Sequence, residues 1–399
     1  MDMDIEGIRA ATPGCAGQTH LLACGSALMP QAVVDAVVAH TQLEARMGGY
    51  EAHAARLPEL EAVYDDVAGL IGARPHEIAL MDNATHAWSA AFYALRLRPG
   101  DVILTAQAEY ASNYLAFLQR ARRDGVVIRQ IPSDATGAVD PAALAAMIDE
   151  RVKLIAVTWV PTNGGMVNPA AEIGRVAARA GVPYLLDACQ AVGQMPVDVP
   201  ALKCDFLSAT GRKFLRGPRG TGFLFVAEKW LTGPDQLEPA MIDLFAADWT
   251  ARDAYRLRQD ARRFENWENA YALRAGLGVA VRLAQGLGLA AIQARAWGLA
   301  DRLRAGLGQI PGAVLHDGGR EQAAIVSFSI EGHDPEALCA ALAERRIIIG
   351  SSTPASTLLD AEARSLPTML RAAPHYYNTE DEIDTLLAAL AGLVREGRA

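Results

Sequence analysis

The chain has 399 residues, too many for one ordinary hydrophobic core, and this length points to about two domains. Apolar residues at 51% and charged residues at 21% are the profile of a soluble globular protein. A net charge of −9, with no basic patch or arm, argues against a nucleic-acid partner.

The N-terminal stretch MDMDIEGIRAATPG is acidic and lacks the apolar core of a signal peptide. No apolar run approaches the roughly 20 residues needed to span a bilayer, so the cytoplasm is the expected location. Between about residues 60 and 230, short β-rich runs alternate with helical patterns. EIALM (77–81), VILTA (102–106), VVIRQI (126–131), KLIAVTWV (153–160), PYLLDA (183–188), DFLSAT (205–210) and TGFLFV (221–226) read as strands. AWSAAFYALRL (87–97) and AAEIGRVAARAG (170–181) read as two of the intervening helices. Most of the strands are apolar at every position, the mark of strands covered by helices on both faces. The expected fold class is α/β, with a large doubly wound domain of mostly parallel sheet over residues 31–255.

After Trp249 the segment TARDAYRLRQDARRFENWEN is polar and rich in arginine. A long helix is expected from near Trp267 through YALRAGLGVAVRLAQGLG. A strand AAIVSFSI (323–330), a helix opening DPEALCAALAERR, a strand IIIG (347–350), a strand near MLRAAPH (369–375) and a terminal helix from Asp381 follow. Residues 1–30 and 256–399 therefore read as a smaller α+β domain. The five cysteines (Cys15, Cys24, Cys189, Cys204, Cys339) are scattered and form no CxxC pair, so neither a disulfide framework nor a metal site is expected.

Sites on open α/β sheets lie beyond the carboxyl ends of the strands. Four features sit there. Asp82-Asn83-Ala84-Thr85-His86 follows a strand and opens a helix, whose free N–H groups suit a phosphate; the same residue types are ordinary helix caps. Asp187 closes an apolar strand, where a carboxylate is costly without a cationic partner; a buried salt bridge would answer that cost equally well. SATGRKFLRGPRGTG (208–222) sets Lys213 among Arg212, Arg216 and Arg219, in a chain with only four lysines (Lys153, Lys203, Lys213, Lys229) among its 37 basic residues. Arginine grips anions better, so a lysine here suggests an amine that can lose its proton and act as a nucleophile; a surface charge or codon usage is the plainer alternative. Thr210 and Arg212 beside it form a plausible anion grip. Arg371, inside an apolar strand, suits a planar carboxylate or an interdomain salt bridge. Together these features fit pyridoxal 5'-phosphate, which needs an amine, a carboxylate at its ring nitrogen and a phosphate cup. Tyr110, in QAEYASN after VILTA, can cover the ring.

The stretch DACQAVGQMPVDVPALKCDFLSATGRKFLRGPRGTGFLFV (187–226) and the ending LRAAPHYYNTEDEI (370–383) resemble fold-type I pyridoxal-phosphate enzymes of the class V aminotransferase and cysteine desulfurase superfamily, and the resemblance runs over nearly the whole chain. It implies that Lys213 forms the Schiff base and that Asp187 pairs with the pyridinium nitrogen. It implies that Gln190 bonds near the phenolic oxygen and that Tyr110 stacks where cysteine desulfurases usually have histidine. Ala84 and Thr85 would hold the phosphate, with Thr210 and Arg212 completing the cup. Thr162 or Asn163, in VPTNGG, would lie near the phenolic oxygen, and Arg371 would bind the α-carboxylate of an amino-acid substrate. RFENWEN (263–269) resembles a segment that crosses a homodimer interface to the partner's phosphate site. The substrate side chain is expected near Met47–Tyr50, Trp88, Trp159 and the loop 351–356, with Tyr50, Trp159 and Ser352 as contacts; Tyr50 and Trp159 are equally explained as packing residues.

All branches of the superfamily begin with an external aldimine and α-proton abstraction, for which Lys213 is the base. Cysteine desulfurases carry a catalytic cysteine on a loop before the final arginine strand. The corresponding GSSTPASTLLDAEARSLP (350–367) has none, which argues against that chemistry. EARMGGYEA (44–52), ATGRKFLRGPRG (209–220) and RFENWENAYALRAGLG (263–278) resemble the sulfoxide carbon–sulfur lyases of ergothioneine biosynthesis and their natural-product relatives. The leading expectation is Cβ–S cleavage by β-elimination, with aminotransfer or epimerisation as the alternative.

Overall fold

The computed structural model describes residues 3–397. Its centre is a seven-stranded sheet of β1 (Ile78–Met81), β2 (Val102–Thr105), β3 (Val127–Gln130), β4 (Val152–Thr158), β5 (Tyr184–Asp187), β6 (Phe206–Thr210) and β7 (Gly222–Val226), in the order β1-β7-β6-β5-β4-β2-β3. Pairing is parallel from β6 across to β3. The exception is β7, antiparallel to both β6 and β1. The short connection that carries Lys213 has no crossover helix and so returns the chain antiparallel.

The uniform hydrophobicity of the strands has the expected cause. Successive side chains leave opposite faces of the sheet. Ile103, Leu154, Leu185 and Phe206 pack on one face against Phe92 and Phe117. Their neighbours Leu104, Ile155, Leu186 and Leu207 join the other core, with Ile173 and Ala177. Full burial of one such side chain is worth roughly 1.5–3 kcal/mol. Edge strand β3 is only partly buried.

A second, antiparallel sheet is built from Ala313–Leu315, Val326–Ile330, Met369–Ala372 and Gly350–Ser352, in that order. The N-terminal pair Thr19–His20 runs parallel to Ile347–Ile348, so the start of the chain attaches to its C-terminal part. Gln194, fully buried, ties the turn after β5 to this region. Its Nε2 donates to the Gln190 carbonyl, and its Oε1 accepts from Trp297 Nε1 (3.1 Å) and the Ala324 N–H (3.0 Å).

Four elements differ from expectation. Helices Gln31–Met47 and Gly49–Ile71 are not anticipated, because alanine-rich turns blur their apolar period. The polar segment after Trp249 contains a hairpin, Ala247–Ala251 with Ala254–Leu257, whose outer residues are exposed. The long helix starts at Tyr271 rather than near Trp267. Asn269 donates to the Asn266 carbonyl and Trp267 N–H donates to Asp243, so local side-chain bonds hold this turn out of the helix. No single helix among the described residues is long and apolar enough to cross a membrane.

Candidate active site

Asp187 ends β5 and is 5% exposed. Its Oδ1 accepts the Cys189 N–H and its Oδ2 accepts from Asn113 Nδ2, both at 2.9 Å. No cation pairs with it among the described residues. A buried carboxylate of this kind calls for a cationic ligand.

Lys213 follows β6 and shares one cleft with Asp187. Burial holds its amine below the ordinary lysine range; Cys189 and Asp187 act against this, and Arg212 and Arg371 reinforce it. The loop closes on itself around the lysine, with Gly211 N–H donating to Thr221 and Gly217 N–H to Gly211. Arg216 clamps the loop from behind. It donates to the Leu28 carbonyl, Tyr376 Oη and Thr12 Oγ1, and its guanidinium lies over the rings of Tyr376 and Tyr377. Arg219 stays exposed. The turn after Asp187 reaches this loop through Gly193, at φ +93°, where a Cβ would stand 2.4 Å from Phe214 C and Leu215 N.

The phosphate end lies at helix Ala84–Ala94. The Asn83 side chain caps the His86 N–H (2.8 Å), leaving the first-turn N–H groups at Ala84 and Thr85 for a ligand. Gly222 lets β7 run beside this turn, since a Cβ there would lie 3.0 Å from Asn83 C. Thr210 and Arg212 line the same cleft; Thr210 Oγ1 also reaches the Thr221 carbonyl (3.3 Å), and Arg212 donates to that of Gly25.

Tyr110, Thr162 and Gln190 complete the cleft. Tyr110 caps helix Ala111–Asp124 and is 36% exposed, which leaves its ring open to the cleft. Gln190 donates from Nε2 to the Cys24 carbonyl and keeps Oε1 unpartnered. Arg371 donates to Thr162 and has an unpartnered Nε. An amine without an acid, an acid without a cation, a free amide oxygen and free helix N–H groups together fit pyridoxal phosphate.

Four sequence candidates lie elsewhere. Asn163 turns away from the cleft, accepting from Ser352 Oγ (2.5 Å) and donating to Thr357 Oγ1 (3.0 Å), so Thr162 is the residue of the pair on the cleft. Ser352 is consumed by that bond. Trp159 is 6% exposed and packs in the main core. Tyr50 is 77% exposed and lines a different cavity with His53, Trp267 and Arg274. Within RFENWEN, the N-terminal half is held inside its own protomer. Buried Arg263 donates to the carbonyls of Leu231, Leu237 and Arg258, and Glu265 accepts from Tyr64, Leu80 N–H and Arg274. Only Trp267 and Glu268 of the segment are exposed. Asn113 was not a sequence candidate; an asparagine three residues beyond an aromatic carries no distinctive signal.

An open α/β sheet with this lysine, carboxylate and phosphate cup defines a fold-type I pyridoxal-phosphate enzyme. Residues 19–386 match the family described as aminotransferase class-V, and the chain belongs to that family. A protein of Methanothermobacter thermautotrophicus called a probable cysteine desulfurase is 30% identical over 98% of this chain and 99% of its own length. The structure of a cysteine desulfurase from Thermococcus onnurineus NA1 superposes with a TM-score of 0.90, at 27% identity and 99% coverage of both chains. A cystine C–S lyase, solved with its reaction product cysteine persulfide, superposes at 0.85, with 26% identity over 95% of this chain and 99% of its own.

These similarities overturn the exclusion drawn from the cysteine-free loop 350–367, and with it the preference for β-elimination or aminotransfer over desulfurase chemistry. The chain matches named cysteine desulfurases from end to end.

Proposed function

We propose that this protein is a pyridoxal-phosphate enzyme of cysteine desulfurase type, which breaks the C–S bond of a cysteine-like amino acid and passes its sulfur to an external thiol as a persulfide, the loop 350–367 holding no cysteine of its own. The observation that carries the reading is Lys213, an amine with a lowered proton affinity set beside the unpaired carboxylate of Asp187. Similarity over the whole length to proteins named for that activity supports it.

When bound, the cofactor supplies an electrophilic carbon for amines and a ring that accepts electrons. Ala84, Thr85 and Arg212 would hold its phosphate, Tyr110 would cover the ring, and Asp187 would keep the ring nitrogen protonated. Arg371 orients the substrate through its carboxylate. Lys213, its amine held below the ordinary lysine range by burial, takes the proton from the substrate Cα and returns it where it is needed.

A homodimer is part of the proposal. Exposed Met241 and Leu244 flank Asp243, which accepts the Trp267 N–H, and large apolar side chains gathered on a surface in this way are usually covered. The three stretches that resemble sulfoxide lyases place S-substituted cysteine sulfoxides among the substrates to try.

The test incubates the holoenzyme with L-cysteine, L-cystine and an S-alkylcysteine sulfoxide, with and without a keto-acid acceptor and with a thiol reductant. Sulfide from cysteine or cystine, matched by alanine and independent of the keto acid, is the expected result, and pyruvate with ammonia in place of alanine overturns it. Amino transfer that requires the keto acid and frees no sulfur overturns the reading.

A further inference from the structure

Behind Asp187 lies a second buried carboxylate that the mechanism above does not use. Glu109 is 3% exposed. It accepts from Thr105 Oγ1 (3.1 Å), the Tyr110 N–H (3.0 Å), Asn113 Nδ2 (2.9 Å), the Thr158 N–H (3.1 Å) and Thr158 Oγ1 (2.5 Å). It has no cationic partner among the described residues. One nitrogen, Asn113 Nδ2, donates to Glu109 Oε1 and to Asp187 Oδ2, both at 2.9 Å. Two buried acids are thus joined by a single amide.

Isolated buried carboxylates are rarely kept without a use. The arrangement is costly alone: burial, with Asp187 adding to it, pushes the Glu109 carboxyl up to about 7 despite its hydrogen bonds. A cation at Asp187 would ease both acids. Glu109 also fixes the backbone of Tyr110 and the side chain of Thr158, two walls of the cleft.

We propose that Glu109 is a positioning residue for the cofactor's ring nitrogen, acting through Asn113 on Asp187. Glu109 fixes Asn113, and Asn113 in turn orients Asp187 Oδ2 toward the ring nitrogen. The inference rests on the pyridoxal-phosphate reading of the cleft and not on the sulfur chemistry.

The test compares binding of two cofactors, pyridoxal phosphate and its 1-deaza analogue, in which carbon replaces the ring nitrogen. Both form the same bond to Lys213, so only the contact with Asp187 distinguishes them. Apparent Kd is read by absorbance titration of the cofactor-free protein for the parent, Glu109→Gln and Asn113→Ala. Each variant should weaken pyridoxal phosphate by about tenfold, the value of a charge-assisted hydrogen bond, and leave the analogue within about twofold. Equal losses for both cofactors would make Glu109 a merely structural residue, and no loss for either would leave it without this role; both results overturn the proposal. Should Glu109→Gln fail to fold, Asn113→Ala decides alone, because it cuts the bridge and keeps the other four contacts of Glu109.

Discussion

Arg371 donates from one nitrogen, Nη1, to both the carbonyl (2.9 Å) and the hydroxyl (2.6 Å) of Thr162, while its Nε finds no partner. The guanidinium is thereby held at the edge of the cleft with donors to spare, the state of an arginine waiting for a carboxylate. Arg371→Leu should raise KM for L-cysteine about a hundredfold, from loss of two charge-assisted bonds worth roughly 3 kcal/mol together, and change kcat less. Steady-state kinetics check it. Unchanged KM would remove Arg371 from substrate binding.

Lys213→Ala should lose the absorbance band of the lysine-bound cofactor and all trapping by borohydride. Turnover should drop by roughly 10⁴-fold, as expected for removing both the covalent anchor and the base. Mass spectrometry of the reduced parent should find the cofactor on the peptide that contains Lys213. Its recovery on another lysine would sink the assignment.

His375 should make the protein sensitive to acid. It is fully buried, its Nε2 lies 2.6 Å from the Phe214 carbonyl, and burial, aided by the Arg216 charge, pushes its pKa down to about 3. The imidazole is neutral in the fold but takes a proton in the unfolded chain below about pH 6.5. The resulting stability is complete above that pH and is lost as pH falls toward 3, with about 2 kcal/mol gone by pH 5. Urea unfolding at pH 7, 6 and 5 should show this decline in the parent and a shallower one in His375→Gln. Equal slopes would clear His375 as the cause.

Gly193→Ala should destabilise the protein by more than about 2 kcal/mol, since it combines a left-handed backbone with a contact of 2.4 Å to the lysine loop. Gly181→Ala serves as the control: it also has positive φ, but nothing stands within 4 Å of its Cβ. Thermal unfolding should separate the two by several degrees, and an equal effect would place the cost in the backbone alone.

Trp267→Glu combined with Leu244→Glu should turn a dimer into a monomer in sedimentation velocity, by burying charge in a face that is now apolar. A parent that sediments as a monomer would overturn the dimer outright.

Much of this architecture is legible in the residues. Strands such as LLD and FLSAT declare burial on both faces, and a carboxylate or a lone lysine at their ends declares chemistry. Antiparallel β7 is less visible, because direction depends on what connects two strands and not on their composition. Asn163 and Thr162 differ by one position on a loop, and only the folded loop tells which faces the cleft. Trp159 and Tyr50 are aromatic residues of the kind that line pockets, yet one packs in the core and the other lines a separate cavity. Glu109 left a faint trace: the threonines at 105 and 158 close two buried strands, where hydroxyls need a polar neighbour.

Gln194 limits how the molecule can breathe. One fully buried amide bonds the turn next to Gln190, the helix that holds Trp297 and the segment that leads into strand Val326–Ile330. Swinging the C-terminal sheet away would break these bonds inside the core, at a cost on the order of 1–3 kcal/mol for each group left unsatisfied. Gln194 therefore ties the turn after β5 to the C-terminal sheet, and the two should move as one body.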